Sequence, residues 1–299
     1  RLTFDRQSDI AERLGYKAHG GLKHVERFMK HYFLVAKDVG DLTRILCASL
    51  EARQVKDVPV LGRVLGKLVP KQPASLSDAP AFRLESGRVV PRSADVFEKD
   101  PVNMIRLFAA AGRHGAEIHP DAVKLLRKSL GLVRLIRNDP EANAIFLELL
   151  TASDDPDIVL RMMNEAGVLG RFIPQFGRIV AMMQFNMYPH YTVDEHLIRA
   201  VGHLSAIERG RLAEDHPLST AIFPTITSRR LLYVAVFLHD IAKGRKEDHS
   251  IGGERIAREL CPRLGLTAPE TETGARLIRP HPLMSETAQM RDLNDFKTI

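Results

Sequence analysis

The sequence has no tryptophan, two cysteines and few other aromatic residues, and these shortages exclude several classes of protein. Cys47 and Cys261 stand far apart and form no Cys-x-x-Cys pair, so neither a disulfide framework nor a thiolate zinc site is expected. No apolar stretch reaches the roughly 18 residues of a membrane-spanning helix, and residues 1–15 are charged throughout, unlike a signal peptide. We therefore expect a cytoplasmic protein with no membrane partner.

A strong excess of charge is also missing. The 43 basic and 37 acidic residues leave a net charge of +6, and the basic residues are scattered among acidic ones. This balance points only weakly to an anionic partner and predicts no nucleic-acid ligand. Leucine, alanine, arginine and glutamate dominate the composition, which favours helices over sheet.

The hydrophobic pattern predicts a mainly α-helical chain with two domains. We expect a helical domain over residues 1–185 and a second, all-helical domain over residues 186–299. Within the first, the composition shifts to proline, serine, aspartate and glycine between residues 70 and 92. Polar and apolar residues alternate there over residues 81–90 around Ser86-Gly87, which predicts a small β-hairpin.

A histidine and an aspartate stand side by side at His239 and Asp240, after an apolar run over residues 231–238. The spacing of that run predicts a buried helix, capped by Ser228 and closed by Gly244. Adjacent side chains on a helix project about 100° apart, so both can reach one cation if other elements supply further ligands. The pair is therefore a candidate metal site.

His196 is the candidate for the third ligand. Thr192 and Glu195 have the spacing of a capping box, which predicts a helix from Thr192 to Arg209 with His196 in its first turns, on the core side. Two histidines and an aspartate suit a hard or borderline divalent ion. Mg²⁺ and Mn²⁺ are favoured, with Fe²⁺ and Zn²⁺ as alternatives. Such a site with open positions lowers the pKa of bound water.

These residues resemble the pattern of a known superfamily. His196, then His239-Asp240 and Lys243, is similar to the HD phosphohydrolases, all-helical proteins that use histidines and aspartates to hold divalent metals. Six further blocks carry a closer resemblance, at residues 16–33, 183–185, 191–196, 237–244, 248–250 and 281–289. Together they resemble the bifunctional uridylyltransferase/uridylyl-removing enzymes of bacterial nitrogen regulation, and the first block is similar to the segment that follows the nucleotidyltransferase domain of that family.

The resemblance implies removal of UMP from a uridylylated tyrosine of the PII signalling protein, with glutamine as an effector of the full-length enzyme. It implies that His196, His239 and Asp240 hold the metal and that Asp240 also orients the attacking water. As a cation beside this site, Lys243 is a candidate contact for the substrate phosphate. His249 and His281 are candidates for a second ion, since related HD proteins with extra histidines hold two. A tyrosine phenol has a pKa near 10, so it leaves as a fairly good anion.

The sequence departs from the family pattern in three respects. Pro189 stands where a histidine is usual, and Pro282 stands where a leucine is usual. Neither the nucleotidyltransferase motif nor the C-terminal ACT repeats is present. The sequence also ends at Ile299, before the superfamily's last metal-binding aspartate. We therefore expect an internal piece of a longer enzyme, truncated within its HD domain.

Each candidate residue has a plainer alternative. His239 and Asp240 could be a polar pair at a helix end, and Lys243 a cation that interacts with the helix dipole. His249 could cap the following helix, and His203 could line the pocket or be an ordinary core or surface residue. Two other functions also stay open: an HD enzyme for free nucleotides or guanosine tetraphosphate, and a catalytically incomplete helical scaffold that docks PII.

Overall fold

The computed structural model of the chain describes residues 3–56, 74–183 and 191–280. Contacts divide the chain into two compact units. The continuous unit is Phe28–Gly177, and the discontinuous unit combines Arg1–Arg27 with Arg178–Ile299.

The discontinuous unit differs from the predicted division of the chain, which assigned the N-terminal residues to the first domain. Arg1–Arg27 belongs to the same unit as the later residues, and one contact between them is the glycine turn at Gly20-Gly21, which lies against the backbone of Gly244 and Arg245. Periodicity along a sequence cannot reveal such a long-range contact. The boundary between residues 185 and 186 stays a prediction.

The described residues are mainly helical, as predicted. The helices in chain order are α1 (Phe4–Arg13), α2 (His24–Lys56), α3 (Val96–Lys99), α4 (Asn103–Arg113), α5 (Pro120–Lys128), α6 (Pro140–Thr151), α7 (Pro156–Glu165), α8 (Leu169–Phe172), α9 (Pro174–Ile179), α10 (Val193–Glu208), α11 (Pro217–Ile222), α12 (Arg229–Leu238), α13 (His249–Arg263) and α14 (Ala268–Ile278). Short 3₁₀ segments occupy Leu130–Ile136 and Phe223–Thr225. In the part of the chain that the structure describes, no helix combines the length and apolarity needed to cross a bilayer.

The predicted β-hairpin is confirmed and belongs to a small sheet. The strands β1 (Ala74–Ser75), β2 (Phe82–Glu85), β3 (Arg88–Pro91) and β4 (Glu117–Ile118) follow one another in that order across the sheet. The hairpin strands β2 and β3 are antiparallel, and β4 is parallel to β3. Ser86 and Gly87 form the turn with φ angles of 51° and 77°, as a two-residue hairpin turn requires.

The core of the continuous unit forms around α4, which packs against α6 and α7. Met104, Ile105, Leu107 and Phe108 of α4 are fully buried. Burying one such side chain contributes roughly 1.5–3 kcal/mol. The start of α6 is fixed by Asp139, whose Oδ1 accepts a hydrogen bond of 2.9 Å from the backbone N–H of Ala142.

The core of the discontinuous unit forms around α12, which packs against α10, α13 and α14. Val234, Phe237 and Leu238 are fully buried, so the apolar run is the buried helix that its spacing predicts. Two details of that prediction are wrong. Ser228 occupies the N-cap position but its hydroxyl donates to Glu270 Oε1 at 2.9 Å, and the helix ends at Leu238, ahead of Gly244.

The two cysteines differ in burial, and this difference predicts their reactivity. Cys47 is exposed, whereas Cys261 is buried and burial raises the pKa of its thiol to about 12. The thiolate is the reactive form. We expect a thiol reagent at pH 8 to modify one cysteine of the native protein, and the second only after unfolding. A Cys47→Ser chain should show no fast reaction; equal rates for both thiols in the wild type would contradict the described burial.

Candidate metal centre

Three side chains from two helical regions bring one ligand atom each to a common point. His196 lies on α10, and His239 and Asp240 directly follow α12. The two Nε2 atoms are 3.1 Å apart. Asp240 Oδ2 is 3.6 Å from His196 Nε2 and 3.4 Å from His239 Nε2. Within the described residues, these three side chains form a group that could hold a metal ion.

These separations fit one shared cation. Ligand atoms held about 2.1 Å from a metal ion in a tetrahedral or octahedral sphere lie roughly 3.0–3.4 Å from each other. The donor set of two imidazole nitrogens and one carboxylate oxygen suits a hard or borderline divalent ion. The residues therefore fit the metal that the sequence predicts for this place.

A hydrogen bond to the backbone selects the tautomer of the neutral His239 ring. Its Nδ1 lies 2.8 Å from the carbonyl oxygen of Val236, and a carbonyl can only accept, so Nδ1 carries the proton and donates it. In a neutral imidazole the lone pair then resides on Nε2, the atom that faces His196 and Asp240. Metal-ligating histidines commonly have this arrangement, in which the outer nitrogen donates to a carbonyl.

Burial divides the cluster into a covered and an open side. The side chain of Asp240 is 4% exposed, and Lys243 Nζ lies 2.7 Å from its Oδ2. An ion pair of this kind compensates a carboxylate that is removed from water. The side chain of His196 is 50% exposed, so the prediction that it faces the core is wrong. Its neighbours Val193 and Leu197 point into the core, and His196 lies at the edge of that helical face.

The start of α10 is also held differently from the prediction. Thr192 is the N-cap residue, but its side chain makes no capping hydrogen bond, so no capping box with Glu195 forms. Asp194 is buried, and its Oδ1 accepts from the backbone N–H of Ala181 at 3.1 Å. This bond supports Ala181 at a φ of 57°. That left-handed conformation is unfavourable for any residue with a side chain. Asp194 is not predicted from the sequence, because its only local signal is an acid in the first turn of a helix.

His249 and His203 lie outside this cluster. His249 is the first residue of α13, and the residue that caps this helix is Asp248. The Asp248 Oδ1 accepts from Ser250 N–H at 2.9 Å and from Ile251 N–H at 3.2 Å. These backbone hydrogen bonds hold the pKa of Asp248 below its usual value. His203 is exposed on α10. It is therefore a surface residue, which was one of the positions considered for it. His281, Pro189 and Pro282 lie outside the described residues.

A tight turn near the N-terminus packs against the loop that follows the cluster. His19 and Leu22 exchange two backbone hydrogen bonds of 3.0 and 3.1 Å around Gly20 and Gly21. A Cβ on Gly21 would lie 2.9 Å from the carbonyl carbon and oxygen of Arg245. Only glycine permits this approach, so the turn fixes the path of the loop after Lys243.

Comparison with protein families agrees with this site. The family model described as GlnD PII-uridylyltransferase matches residues 1–47, that described as uridylyltransferase GlnD third domain matches residues 82–172, and the HD domain matches residues 193–297. The three matches cover most of the chain. Together they indicate a PII uridylyltransferase with an HD domain. His196, His239 and Asp240 all fall within the HD domain, so the resemblance that the sequence showed is confirmed. HD domains are metal-dependent phosphohydrolase domains, and the uridylyltransferase family acts on PII proteins.

Proposed function

We propose that this chain carries the uridylyl-removing centre of its family, which hydrolyses the phosphodiester between UMP and a tyrosine of the PII protein. The observation that supports this most strongly is the cluster of His196, His239 and Asp240 inside an HD domain, in a chain whose other segments match uridylyltransferases. In the reaction, water forms a bond to phosphorus while the bond to the tyrosine oxygen breaks. The products are UMP and the free tyrosine.

The three clustered residues would hold a divalent cation, for which we propose Mg²⁺ or Mn²⁺. When bound, such an ion neutralises charge on the phosphate and lowers the pKa of water. His239 is held in the ligating tautomer by Val236, and the half-exposed His196 leaves the site open to a large substrate. We further propose that His249 and His281 contribute to a second ion.

Asp240 and the neighbouring Lys243 can perform the remaining steps. The buried Asp240 carboxylate accepts a hydrogen bond from the attacking water and so orients it. Lys243 has three N–H donors; one serves Asp240, and among the described residues no acceptor is seen for the others, which could serve the phosphate. The leaving phenolate has an ordinary pKa of about 10, so it departs without a strong general acid.

We propose the partner, the effector and the localisation of the chain from its similarity to the same family. The uridylylated PII protein is the partner, and glutamine is an effector of the full-length enzyme, acting in the cytoplasm. We propose neither a nucleic-acid nor a membrane partner.

Lys243 offers a test of its proposed contact with phosphate. We expect Lys243→Met to lower kcat for UMP release by about 100-fold, as the loss of one donor to a charged transition state does elsewhere. Lys246 is an exposed lysine of the same loop, and Lys246→Met should leave kcat unchanged. Steady-state kinetics with uridylylated PII and Mn²⁺ measure both. A Lys243→Met chain with full kcat and only a lower thermal midpoint would assign Lys243 a structural role.

A substrate comparison tests the function itself. Uridylylated PII, deoxynucleoside triphosphates and guanosine tetraphosphate are each incubated with the chain and Mn²⁺, and phosphate-ester cleavage is followed by chromatography. We expect UMP release from PII to be the fastest reaction. Faster cleavage of a free nucleotide would favour the HD nucleotide phosphohydrolase, and PII binding with no cleavage of any substrate would favour the docking scaffold.

A further inference from the structure

Arg199 is a cation on the same face of α10 as the metal ligand His196. The two residues are three positions apart, and side chains with this spacing are neighbours on the surface of a helix. The half-exposed side chain of His196 forms the open side of the metal cluster, and Arg199 is itself only partly buried. Arg199 therefore lies beside the side of the cluster that a large substrate can reach.

The ring of Tyr191 fixes where the guanidinium of Arg199 lies. The Cζ atom of Arg199 is 4.3 Å from the centroid of this ring, which is the geometry of a cation–π contact. Tyr191 lies two residues ahead of the start of α10, so the Arg199 side chain extends back toward the N-terminal end of the helix. His196 is in the first turn at that same end. The guanidinium is therefore directed toward the metal ligand and not away from it.

The N–H donors of Arg199 are not taken up by an acidic residue. Glu195 precedes Arg199 by four residues, a spacing that often gives an ion pair on a helix. Among the described residues, however, Arg199 makes no ion pair or hydrogen bond, and its contact is with the Tyr191 ring. Because that contact uses the flat face of the guanidinium, the donors at its edge stay available for an acceptor.

We propose that Arg199 binds the phosphate of the uridylyl group at the metal centre, and that Tyr191 positions it. The planar guanidinium offers two parallel N–H donors, which match two oxygens of a phosphate. Lys243 pairs with Asp240 on the covered side of the cluster, whereas Arg199 lies on the open side, so the two cations would contact different oxygens. This inference rests on the proposed function and adds a substrate-binding residue to it.

Equilibrium binding of UMP to the Mn²⁺-loaded chain tests the role of Arg199 without relying on hydrolysis. Arg199→Met should weaken UMP binding by about 10- to 100-fold in isothermal titration calorimetry, which is what the loss of a hydrogen bond between charged groups costs. Uridine has no phosphate and should bind the wild type and the variant equally. Arg209→Met removes an exposed arginine at the other end of α10 and should leave UMP binding unchanged.

The positioning role of Tyr191 has its own pair of variants. Tyr191→Phe keeps the aromatic ring and should bind UMP as the wild type does. Tyr191→Leu removes the ring and should weaken UMP binding by about 2- to 5-fold, the equivalent of one exposed cation–π contact. Equal affinities of the two variants would contradict the positioning role.

The outcomes separate this inference from the proposed function. If Arg199→Met weakens UMP binding but the wild type releases no UMP from uridylylated PII, the phosphate site stands and the proposed activity fails. The inference is overturned if the wild type does not bind UMP or if Arg199→Met binds it with wild-type affinity. It is also overturned if uridine binding falls by the same factor as UMP binding, because Arg199 would then contact the base.

A role at the PII surface gives a different result. Arg199→Met would then bind UMP normally but release it more slowly from uridylylated PII, and this result would also overturn the inference.

Discussion

The His239→Ala chain is expected to bind Mn²⁺ more than about 100-fold more weakly than the wild type. Residues that only support a ligand already cost 10- to 100-fold in metal affinity when they are removed, so the loss of a ligand should cost more. The imidazole Nε2 of His239 lies within 3.4 Å of both other ligand atoms, and alanine offers no replacement donor. Titration of the chain with Mn²⁺, followed by electron paramagnetic resonance of the free ion, measures the affinity.

A matched histidine on α10 provides the control for this titration. His196→Ala should weaken Mn²⁺ binding as His239→Ala does, whereas His203→Ala should not, because His203 is exposed and lies outside the cluster. The assignment of the metal site would be contradicted by wild-type affinity in His239→Ala, or by an equal loss in His203→Ala.

The second large effect is expected at the glycine turn. Gly21→Ala should destabilise the chain by roughly 2–4 kcal/mol, because φ is 94° and the added Cβ would lie 2.9 Å from backbone atoms of Gly244 and Arg245. Backbone atoms cannot move aside as a flexible side chain can. Since the displaced loop begins just after Lys243, kcat for UMP release should fall as well. Chemical denaturation and steady-state kinetics measure the two effects.

Gly20→Ala separates the two causes of that loss. Gly20 also has a positive φ, 65°, but no atom lies within 4 Å of the position of an added Cβ. It should therefore show the backbone cost alone, about 1–2 kcal/mol, with kcat unchanged. Equal destabilisation by the two substitutions would mean that the close approach to the loop contributes nothing.

The features that the sequence predicts well are those encoded over a few residues. The spacing of the apolar run before His239 predicts α12 as a buried helix, and Ser86-Gly87 predicts the hairpin, since each signal is local. The meeting of His196, His239 and Asp240 is predicted because these residues have the spacing of a known motif. The structure brings these residues to within one coordination sphere.

The features that the sequence does not predict depend on contacts between distant residues. No capping box forms at Thr192, and Asp194 holds the adjacent turn through Ala181, a contact that no spacing rule indicates. The approach of Gly21 to Arg245 joins positions more than two hundred residues apart, so it leaves no periodic signal. The half-exposed position of His196 also depends on how α10 packs, because a helical period alone does not resolve the edge of a face.

The most direct measurement is UMP release from uridylylated PII in the presence of Mn²⁺, for the wild type and His239→Ala side by side. The account predicts release by the wild type and none by the variant, with PII left otherwise intact. Equal release by both chains would place the reaction outside the His196, His239 and Asp240 cluster. No release by a wild-type chain that binds Mn²⁺ would contradict the proposed activity of this chain.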